Sequence, residues 1–417
     1  MLASLLKAAG IKNIGFNNQT TVRRGSGTVE VALVLDNSSA LAGQPIEDLR
    51  AAAKSLVSIV FAGAQNSDRV AVGVVPFAGA VNVGADKRGA WWIDSAGLAS
   101  YHSENFSQPV SRFTLFDRLG MNWAGCVEAR PSPYDVDETP PNSSNPNTLF
   151  VPVFAPDEPD PANAGSDSFV NSYLDDLGGS CPPQTSTCLA YSRRGNCTQW
   201  STPPISSLTA QTRICKYDGG VPYVTALGPT KTGPNMNCDS TPLTPVTSIP
   251  SHVTAALDAM TAAGGSNISE GIAWAWRILS PSAPFAMAKP YDADSNKKYM
   301  IILARGANSI VGLKNMNDSY YSTWGYGANN RLNSSSHTTP SLTDSMNQKS
   351  RDACRGASDK GIQVYTIGFG VSDAHTRSML KYCATLPSMT FSVDTADQLK
   401  TIFENIGRDI TPARIAG

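Results

Sequence analysis

The residues Asp36, Ser38 and Ser39 follow directly on the apolar run of residues 29–35. A carboxylate and two hydroxyls are oxygen donors of the kind that bind a divalent cation or a polar ligand. The run is rich in β-branched residues and bounded by turn formers, which is typical of a strand buried on both faces of a parallel sheet. Open α/β sheets bind ligands at the carboxyl ends of such strands. The pattern therefore indicates a site after this strand.

Composition limits the kinds of partner that such a site can serve. The chain has 417 residues, enough for two or three domains or for one domain with a large insertion. Its formal net charge is −1 and only 16% of its residues are charged. A chain with this charge balance has no basic field to attract nucleic acid or an anionic membrane surface. We therefore expect no nucleic-acid partner.

The cysteines indicate an exported protein. They are even in number, none forms a C-x-x-C pair, and the chain has only four histidines, so disulfides are favoured over zinc. No signal or spanning segment is visible, and we expect that an upstream signal or membrane anchor is missing from this chain. The cysteines are Cys126, Cys181, Cys188, Cys197, Cys215, Cys238, Cys354 and Cys383.

Alternating strands and helices surround the first site. Apolar residues recur at helical spacing over residues 44–61, a second buried run covers residues 70–77, and a short alternation at residues 80–83 suits an edge strand. A short helix and strand in residues 1–27 are too small to form a core of their own, and we expect them to pack on the main domain. Strand, helix and strand thus appear within the length of one βαβ unit.

Residues 86–251 lack this alternation of strands and helices. Proline recurs there, six of the eight cysteines fall there, and their pairing cannot be deduced from spacing. We interpret this segment as an ordered, disulfide-stapled insertion. The pair Trp91 and Trp92, and the aromatic residues between Tyr320 and Tyr326, fit either the small core of this insertion or an adhesive surface, and both readings stay open.

The alternating pattern returns after residue 251. A helix begins at Asn267 with Glu270 in the form of a capping box, and a later helix begins at Thr395 with Gln398 in the same form. Buried strands at residues 298–304 and 361–369 lie between further helices. Because Cys354 and Cys383 lie one helix before and one helix after the second of these strands, they are the favoured disulfide pair.

The order of elements predicts the fold class and the domains. Repeated βα units with right-handed crossovers form a doubly wound, mostly parallel α/β sheet with helices on both faces. Residues 28–85 and 252–417 are assigned to this domain, with residues 86–251 inserted and residues 1–27 packed against it.

Three short segments carry a resemblance to a known family. LVLDNSSALAG, the GGSNI loop that opens a helix and LARGAN after a strand resemble the three metal-site loops of a von Willebrand factor A domain. Longer phrases resemble TadG-type proteins of bacterial tight-adherence (Tad, or Flp) pilus systems, over essentially the whole chain. These phrases are GCVEARPSPYDV at 125–136, TLFVPVFAPDEP at 148–159, GIAWAWRILSP at 271–281 and GIQVYTIGF at 361–369.

The metal-site loops depart from the family pattern. The first loop of the family reads Asp-x-Ser-x-Ser, and here Asp36 and Ser38 match while Ala40 has lost the third oxygen. Ser266 keeps a hydroxyl where the family usually has Thr. Arg305 stands where the family usually has Asp, so a second carboxylate has become a cation.

These changes predict a degenerate site that binds no metal. Mg²⁺ requires octahedral oxygen ligation, and an arginine about 5 Å from a dication costs on the order of several kcal/mol at an effective dielectric of about 20. One hypothesis is that the guanidinium of Arg305 takes the place of the cation and donates to Asp36. The alternative is that Arg305 points to solvent and Asp36 caps a loop.

The resemblance implies a non-enzymatic envelope protein of a Tad/Flp-type pilus, exported to the periplasm or the cell surface. It would act in pilus assembly or anchoring through contacts with pilus or envelope proteins, and would meet the membrane only through an anchor absent from this chain. The alternative is a surface adhesin that binds host or matrix ligands through the metal-dependent edge of its A domain. No nucleophile motif is present, so we expect no enzymatic activity and no cofactor.

Overall fold

A computed structural model of the chain describes residues 27–62, 67–182, 187–200, 205–222 and 232–411. The predicted leading helix and strand lie in residues 1–26, outside the described residues. Among the helices that the structure describes, none is both long and apolar enough to cross a membrane.

A six-stranded sheet forms the centre of the fold. Its spatial order is β5-β2-β1-β6-β7-β8, and all neighbouring strands are parallel except β5, which is antiparallel to β2. A separate hairpin is formed by β3 and β4. The strands are β1 Thr28–Asp36, β2 Val70–Phe77, β3 Cys188–Tyr191, β4 Cys197–Trp200, β5 Thr244–Thr247, β6 Asn296–Ala304, β7 Gln363–Phe369 and β8 Thr390–Val393.

Helices cover both faces of the sheet. The α-helices are α1 Gln44–Phe61, α2 Arg112–Arg118, α3 Ser207–Thr212, α4 Pro250–Ala259, α5 Ile268–Leu279, α6 Thr339–Asp359, α7 Ala374–Cys383 and α8 Ala396–Ile410. Helices α1, α4 and α8 pack on one face and α5, α6 and α7 on the other. Right-handed parallel crossovers with two helical layers define the doubly wound class. The predicted α/β fold class is therefore confirmed.

Strand β1 is apolar without interruption from Val31 to Leu35 because both of its faces are covered. Leu33 and Leu35 pack under α1 and α8, while Ala32 and Val34 pack under α5. All of these side chains are fully buried. A strand in this position has no solvent face, so the alternation of apolar and polar residues disappears from its sequence.

Most of the large apolar side chains of the inserted segment pack on the α5 face of the sheet, and smaller apolar clusters lie beside them. Trp92 and Phe150 contact Trp274 of α5, with ring centroids 6.5 and 4.6 Å away. Several of the aromatic residues that could belong either to a core or to an adhesive surface are buried, namely Trp92, Tyr321, Trp324 and Tyr326. Trp91 differs, because 64% of its surface is exposed. The core reading is therefore correct for most of these side chains and wrong for Trp91.

The predicted edge strand at residues 80–83 is wrong. The edge is formed instead by β5, from the last residues of the segment that was assigned to the insertion. The side-chain amide of Asn82 donates to the carbonyls of Ala124 and Ser240 at 3.0 and 3.1 Å. These bonds attach residues 80–83 to the insertion and leave the edge of β2 open for β5.

All eight cysteines are paired. The structure contains the bridge between Cys354 and Cys383 that was favoured from the sequence, and it joins α6 to α7 beside β7. The remaining bridges lie within the insertion, where the sequence left the pairing open. They are Cys126–Cys238, Cys181–Cys215 and Cys188–Cys197.

Capping boxes were predicted at the amino ends of α5 and α8, and the structure has the full box at α8 and half of it at α5. The side chain of Thr395 accepts from the backbone of Gln398 and the side chain of Gln398 returns the contact, so α8 has the full capping box. At α5, Asn267 accepts from the backbone N–H of Glu270 at 3.2 Å. The buried carboxyl of Glu270 makes no return bond to Asn267, and one of its oxygens has no partner among the described residues.

Candidate functional site

The three loops singled out in the sequence meet at the carboxyl edge of the sheet. We call this edge the crest, formed by residues 36–43, 261–267 and 305–309 with the end of β7 at Phe369 and Gly370. Backbone bonds tie the loops together: Ser39 N–H donates to Gly264 O at 3.0 Å, and Ser309 N–H donates to Ser266 O at 3.1 Å. The structure thus brings together all five predicted positions, namely Asp36, Ser38, Ala40, Ser266 and Arg305.

The carboxylate of Asp36 is fully buried and bonded to backbone amides. Its Oδ1 accepts from Ser38 N–H at 2.9 Å. Its Oδ2 accepts from the N–H groups of Arg305 and Gly306 at 2.9 and 2.8 Å. Burial raises the pKa of Asp36, and its contacts with Ser38, Arg305 and Gly306 act against that rise. Asp36 therefore fastens the first crest loop to the third.

The side chain of Arg305 turns away from Asp36. Its Nε donates to Ala40 O at 2.8 Å, and one Nη donates to Phe369 O at 3.4 Å. The guanidinium carbon lies 4.8 Å from the centre of the Phe369 ring. Gly370, at φ +63°, leaves room beside it, since a Cβ there would lie 2.9 Å from a guanidinium nitrogen.

The hypothesis that the guanidinium of Arg305 pairs with Asp36 is therefore wrong. The backbone amide of Arg305 bonds Asp36, and the side chain bridges the first loop to the end of β7. The alternative hypothesis was that Asp36 caps a loop and Arg305 points to solvent. Its first part is correct, whereas Arg305 is only partly exposed. The physical reason is that backbone amides already satisfy the carboxylate, so a second, charged donor gains little there.

Two hydroxyls lie beside this carboxylate. The Oγ atoms of Ser38 and Ser266 are buried and have no hydrogen-bond partner among the described residues. Both face Gly306, where a Cβ would lie 3.1 Å from Ser38 Oγ and 3.4 Å from Ser266 Oγ. Gly306 therefore lets the third loop close over the first two.

These oxygens do not fit a divalent cation. A hard cation needs six or more oxygen ligands, several of them anionic or water. The crest offers one carboxylate, which already accepts three N–H bonds, and two neutral hydroxyls. The described part of the chain holds no cluster of three or more His, Cys, Asp or Glu side chains suited to a metal. That the crest binds no Mg²⁺ stays a prediction.

Comparisons with known proteins give structural neighbours only. No protein-family model matches the sequence, and no curated protein matches it. The chain is similar to the vWF domain of the type V pili tip protein Mfa5 from Porphyromonas gingivalis, at 11% identity and TM-score 0.40, over 94% of this chain and 98% of that one. It is also similar to the pilus adhesin SpaC from Lactobacillus rhamnosus GG, at 11% identity and TM-score 0.38, over 93% of this chain and 30% of that one.

A third neighbour is the von Willebrand factor type A structure from Catenulispora acidiphila. Its identity is 10% and its TM-score 0.33, over 94% of this chain and 44% of that one. Similarity at this level does not by itself indicate a function. The fold class follows from the sheet order.

Other acidic residues near loops are structural. Asp157 and Glu158 of the DEPDP segment are buried, and Lys216 Nζ lies 2.6 Å from a carboxylate oxygen of Asp157. Glu158 accepts from the N–H groups of Val170 and Asn171, both at 2.7 Å. These carboxylates hold the insertion together and leave little for a ligand.

Sequence reasoning missed Phe369 and Gly370. They supply the ring and the space that hold the guanidinium of Arg305. A signal was present, because Phe369 ends the buried strand β7 and Gly370 follows it, at the carboxyl edge where the polar sites of such sheets lie. Phe369 and Gly370 carry no polar side chain, so they did not stand out as candidates.

Proposed function

We propose that this chain is a non-enzymatic, TadG-like envelope protein of a Tad/Flp-type pilus system, with a von Willebrand factor A-type domain that contacts other pilus or envelope proteins. The sequence phrases that resemble the TadG type support the pilus assignment. Four disulfides support export to the periplasm or the cell surface, where such bonds persist. No cofactor takes part in this function.

The observation that carries the mode of contact is the closed hydrogen bonding of Asp36. With three backbone N–H donors on one carboxylate, the crest loops are held in place without a bridging ion. A pre-formed surface loses less conformational entropy when a partner binds. The crest therefore acts as a rigid docking surface.

The charge on this surface comes from Arg305. The crest also carries small exposed residues, namely Ser39, Ala40, Gly265 and Gly370, which allow close approach of a partner. Nε and one Nη of Arg305 bond to the protein, and the N–H groups of the other Nη have no acceptor among the described residues, so they remain for a partner. A carboxylate on the partner fits these donors, because charge-assisted bonds to arginine are directional and strong.

The metal-dependent adhesin is disfavoured by the same donor set. That mechanism needs a cation with open coordination positions, and the crest supplies one carboxylate beside a fixed cationic side chain. Binding through Arg305 requires no divalent ion, so it should persist in a chelator.

The test uses strains that carry a deletion of the gene or a single substitution in it. We expect deletion of the gene to reduce pilus assembly and surface attachment, and Arg305→Glu to reproduce the defect while Lys297→Glu, at the amino end of β6, does not. Wild-type pili and attachment in the deletion strain would overturn the assembly role. Wild-type behaviour of Arg305→Glu alone would overturn the crest as the docking surface.

A further inference from the structure

Trp91 is an exposed indole on the wall of a groove. Its neighbour Trp92 is buried against Phe150, whereas 64% of the Trp91 surface is exposed. The groove has a volume of about 440 Å³. Its other walls are Thr139, the proline pair Pro140 and Pro141, and Asn142, Ser143, Asn145 and Thr148 of the following turn. Exposing a large aromatic side chain to water costs hydrophobic free energy, so an exposed tryptophan in a folded protein is a candidate contact for a ligand.

Two buried arginines hold the loop of residues 134–148. Arg130 donates to the carbonyls of Tyr134, Thr139 and Thr148 at 2.9, 2.6 and 3.1 Å. Arg277 of α5 donates to the carbonyl of Asp135 at 2.7 Å, and to that of Tyr134 at 3.1 Å. Both guanidinium groups are almost completely buried. Arg130 also lies 3.1 Å from the carboxylate of Asp137. Burying two cations is costly even with these partners, and the result is a surface loop with a fixed shape.

The polar groups in this groove are uncharged and include both hydrogen-bond donors and hydrogen-bond acceptors. Asn142 Oδ1 accepts from Ser144 N–H at 2.9 Å, and its amide N–H₂ has no partner among the described residues. Asn145 Nδ2 donates to Tyr134 Oη at 3.0 Å, and its side-chain oxygen has no partner in the described part of the chain. Ser143 is exposed and adds a hydroxyl. The lining contains no charged residue.

We propose that this groove binds a neutral saccharide, with one pyranose ring stacked on Trp91 and its hydroxyls bonded to Asn142, Ser143 and Asn145. A pyranose has an apolar C–H face and a rim of hydroxyls that donate and accept. An exposed indole beside free amide groups matches both parts. A rigid loop presents these groups without an ordering cost at the moment of binding.

A proline-rich peptide is the competing ligand and fits less well. Such peptides dock between parallel aromatic ridges, and Trp91 is the one aromatic side chain in the lining. An anionic ligand would find no cationic side chain there. The saccharide site lies apart from the crest and does not depend on the function proposed for it.

The test is an array of neutral and acidic oligosaccharides, with a proline-rich peptide as comparator, probed with the full chain. We expect neutral pyranosides to bind, Trp91→Ala to weaken that binding at least tenfold, and Trp91→Tyr to retain part of it. Tyr191→Ala is the control, since Tyr191 is 68% exposed in the β3–β4 hairpin, outside the groove. It should bind like the wild type.

Unchanged melting temperature and near-ultraviolet circular dichroism show that the Trp91 variants fold. Three results would overturn the site: no binding to any neutral saccharide, equal binding by Trp91→Ala, or binding of the peptide at the groove in place of sugar. An equal loss in Tyr191→Ala would also overturn it, because the effect would then not be specific to the groove.

Discussion

The carboxylate of Asp36 accepts a hydrogen bond from the backbone amide of Arg305 at 2.9 Å, while the guanidinium of Arg305 bonds Ala40 O at 2.8 Å. One residue thus joins two loops through two different groups. Its main chain satisfies a buried anion, and its side chain provides the positive charge of the crest. The two roles can be separated by mutation, because a substitution at 305 keeps the main-chain bond.

Asp36→Asn should destabilise the fold. An amide group cannot accept at both of its ends, so at least one backbone N–H would face another donor. Each unsatisfied buried group costs about 1–3 kcal/mol, so we expect the free energy of unfolding to fall by about 2–4 kcal/mol. Urea denaturation measures this, with Asp292→Asn as the control at an exposed turn. Equal stability of the two variants would contradict the role of Asp36.

Arg305→Ala should cost little stability. The lost contacts are two bonds to carbonyls and one cation–π contact on a partly exposed side chain, together about 1 kcal/mol. Removing one partner of a buried ion pair would cost about 3–5 kcal/mol instead. Urea denaturation of Arg305→Ala and Arg305→Lys distinguishes the two cases. A loss of 3 kcal/mol or more in the alanine variant would restore the ion-pair hypothesis.

The melting temperature of the wild-type chain should not respond to divalent cations. A ligand that binds only the folded state raises stability with its concentration, by about 2.7 kcal/mol at one hundred times its Kd. The crest has too few free oxygens for such a ligand. Differential scanning calorimetry with Mg²⁺, Mn²⁺ and Ca²⁺ tests this. A saturable rise that is lost in Asp36→Asn would show that the crest binds metal.

Asp239 should make the fold less stable as the pH rises. Burial raises its pKa to about 7, and one of its oxygens has no partner among the described residues. The unfolded chain releases this proton near pH 4, while the folded chain keeps it until about pH 7. The stability that the protonated Asp239 contributes is therefore complete below about pH 4 and lost between about pH 4 and 7.

Asp239→Asn removes this proton uptake. We expect it to raise the free energy of unfolding at pH 8, by up to a few kcal/mol, and to flatten part of the decline between about pH 4 and 7. Urea denaturation across this pH range measures both effects. The exposed Asp292→Asn variant should follow the wild-type curve. A pH profile of Asp239→Asn identical to wild type would contradict the raised pKa.

The disulfides should differ in how much each stabilises the folded state. Replacing Cys354 and Cys383 by Ala removes a bridge that spans 29 residues between two packed helices, so we expect a loss of about 2–4 kcal/mol. Replacing Cys188 and Cys197 affects an exposed hairpin with a span of 9 residues. Local opening of that hairpin leaves the core packed, so the global melting temperature should change by much less. Equal losses would show that the hairpin is part of the cooperative core.

The sequence by itself determined the parallel strands of the sheet and the helices that connect them, but not the edge strand β5. Strands β1, β2, β6 and β7 are buried on both faces, and continuous apolar runs mark such strands without any knowledge of their neighbours. The capping signals at Asn267 and Thr395 are equally local. The approach of Asp36 and Arg305 also followed from sequence, because the carboxyl ends of parallel strands share one edge. Ser266 was placed beside them only by the resemblance of its loop to that of a von Willebrand factor A domain.

Only the tertiary structure decided what these groups contact. Residue 305 could satisfy Asp36 through its main chain or its side chain, and the choice depends on Phe369 and Gly370, which come more than sixty residues later. The exposure of Trp91 beside the buried Trp92 likewise depends on the distant α5. Local periodicity records which face of an element is buried, whereas a hydrogen-bond partner is set by distances between segments that are remote in the chain.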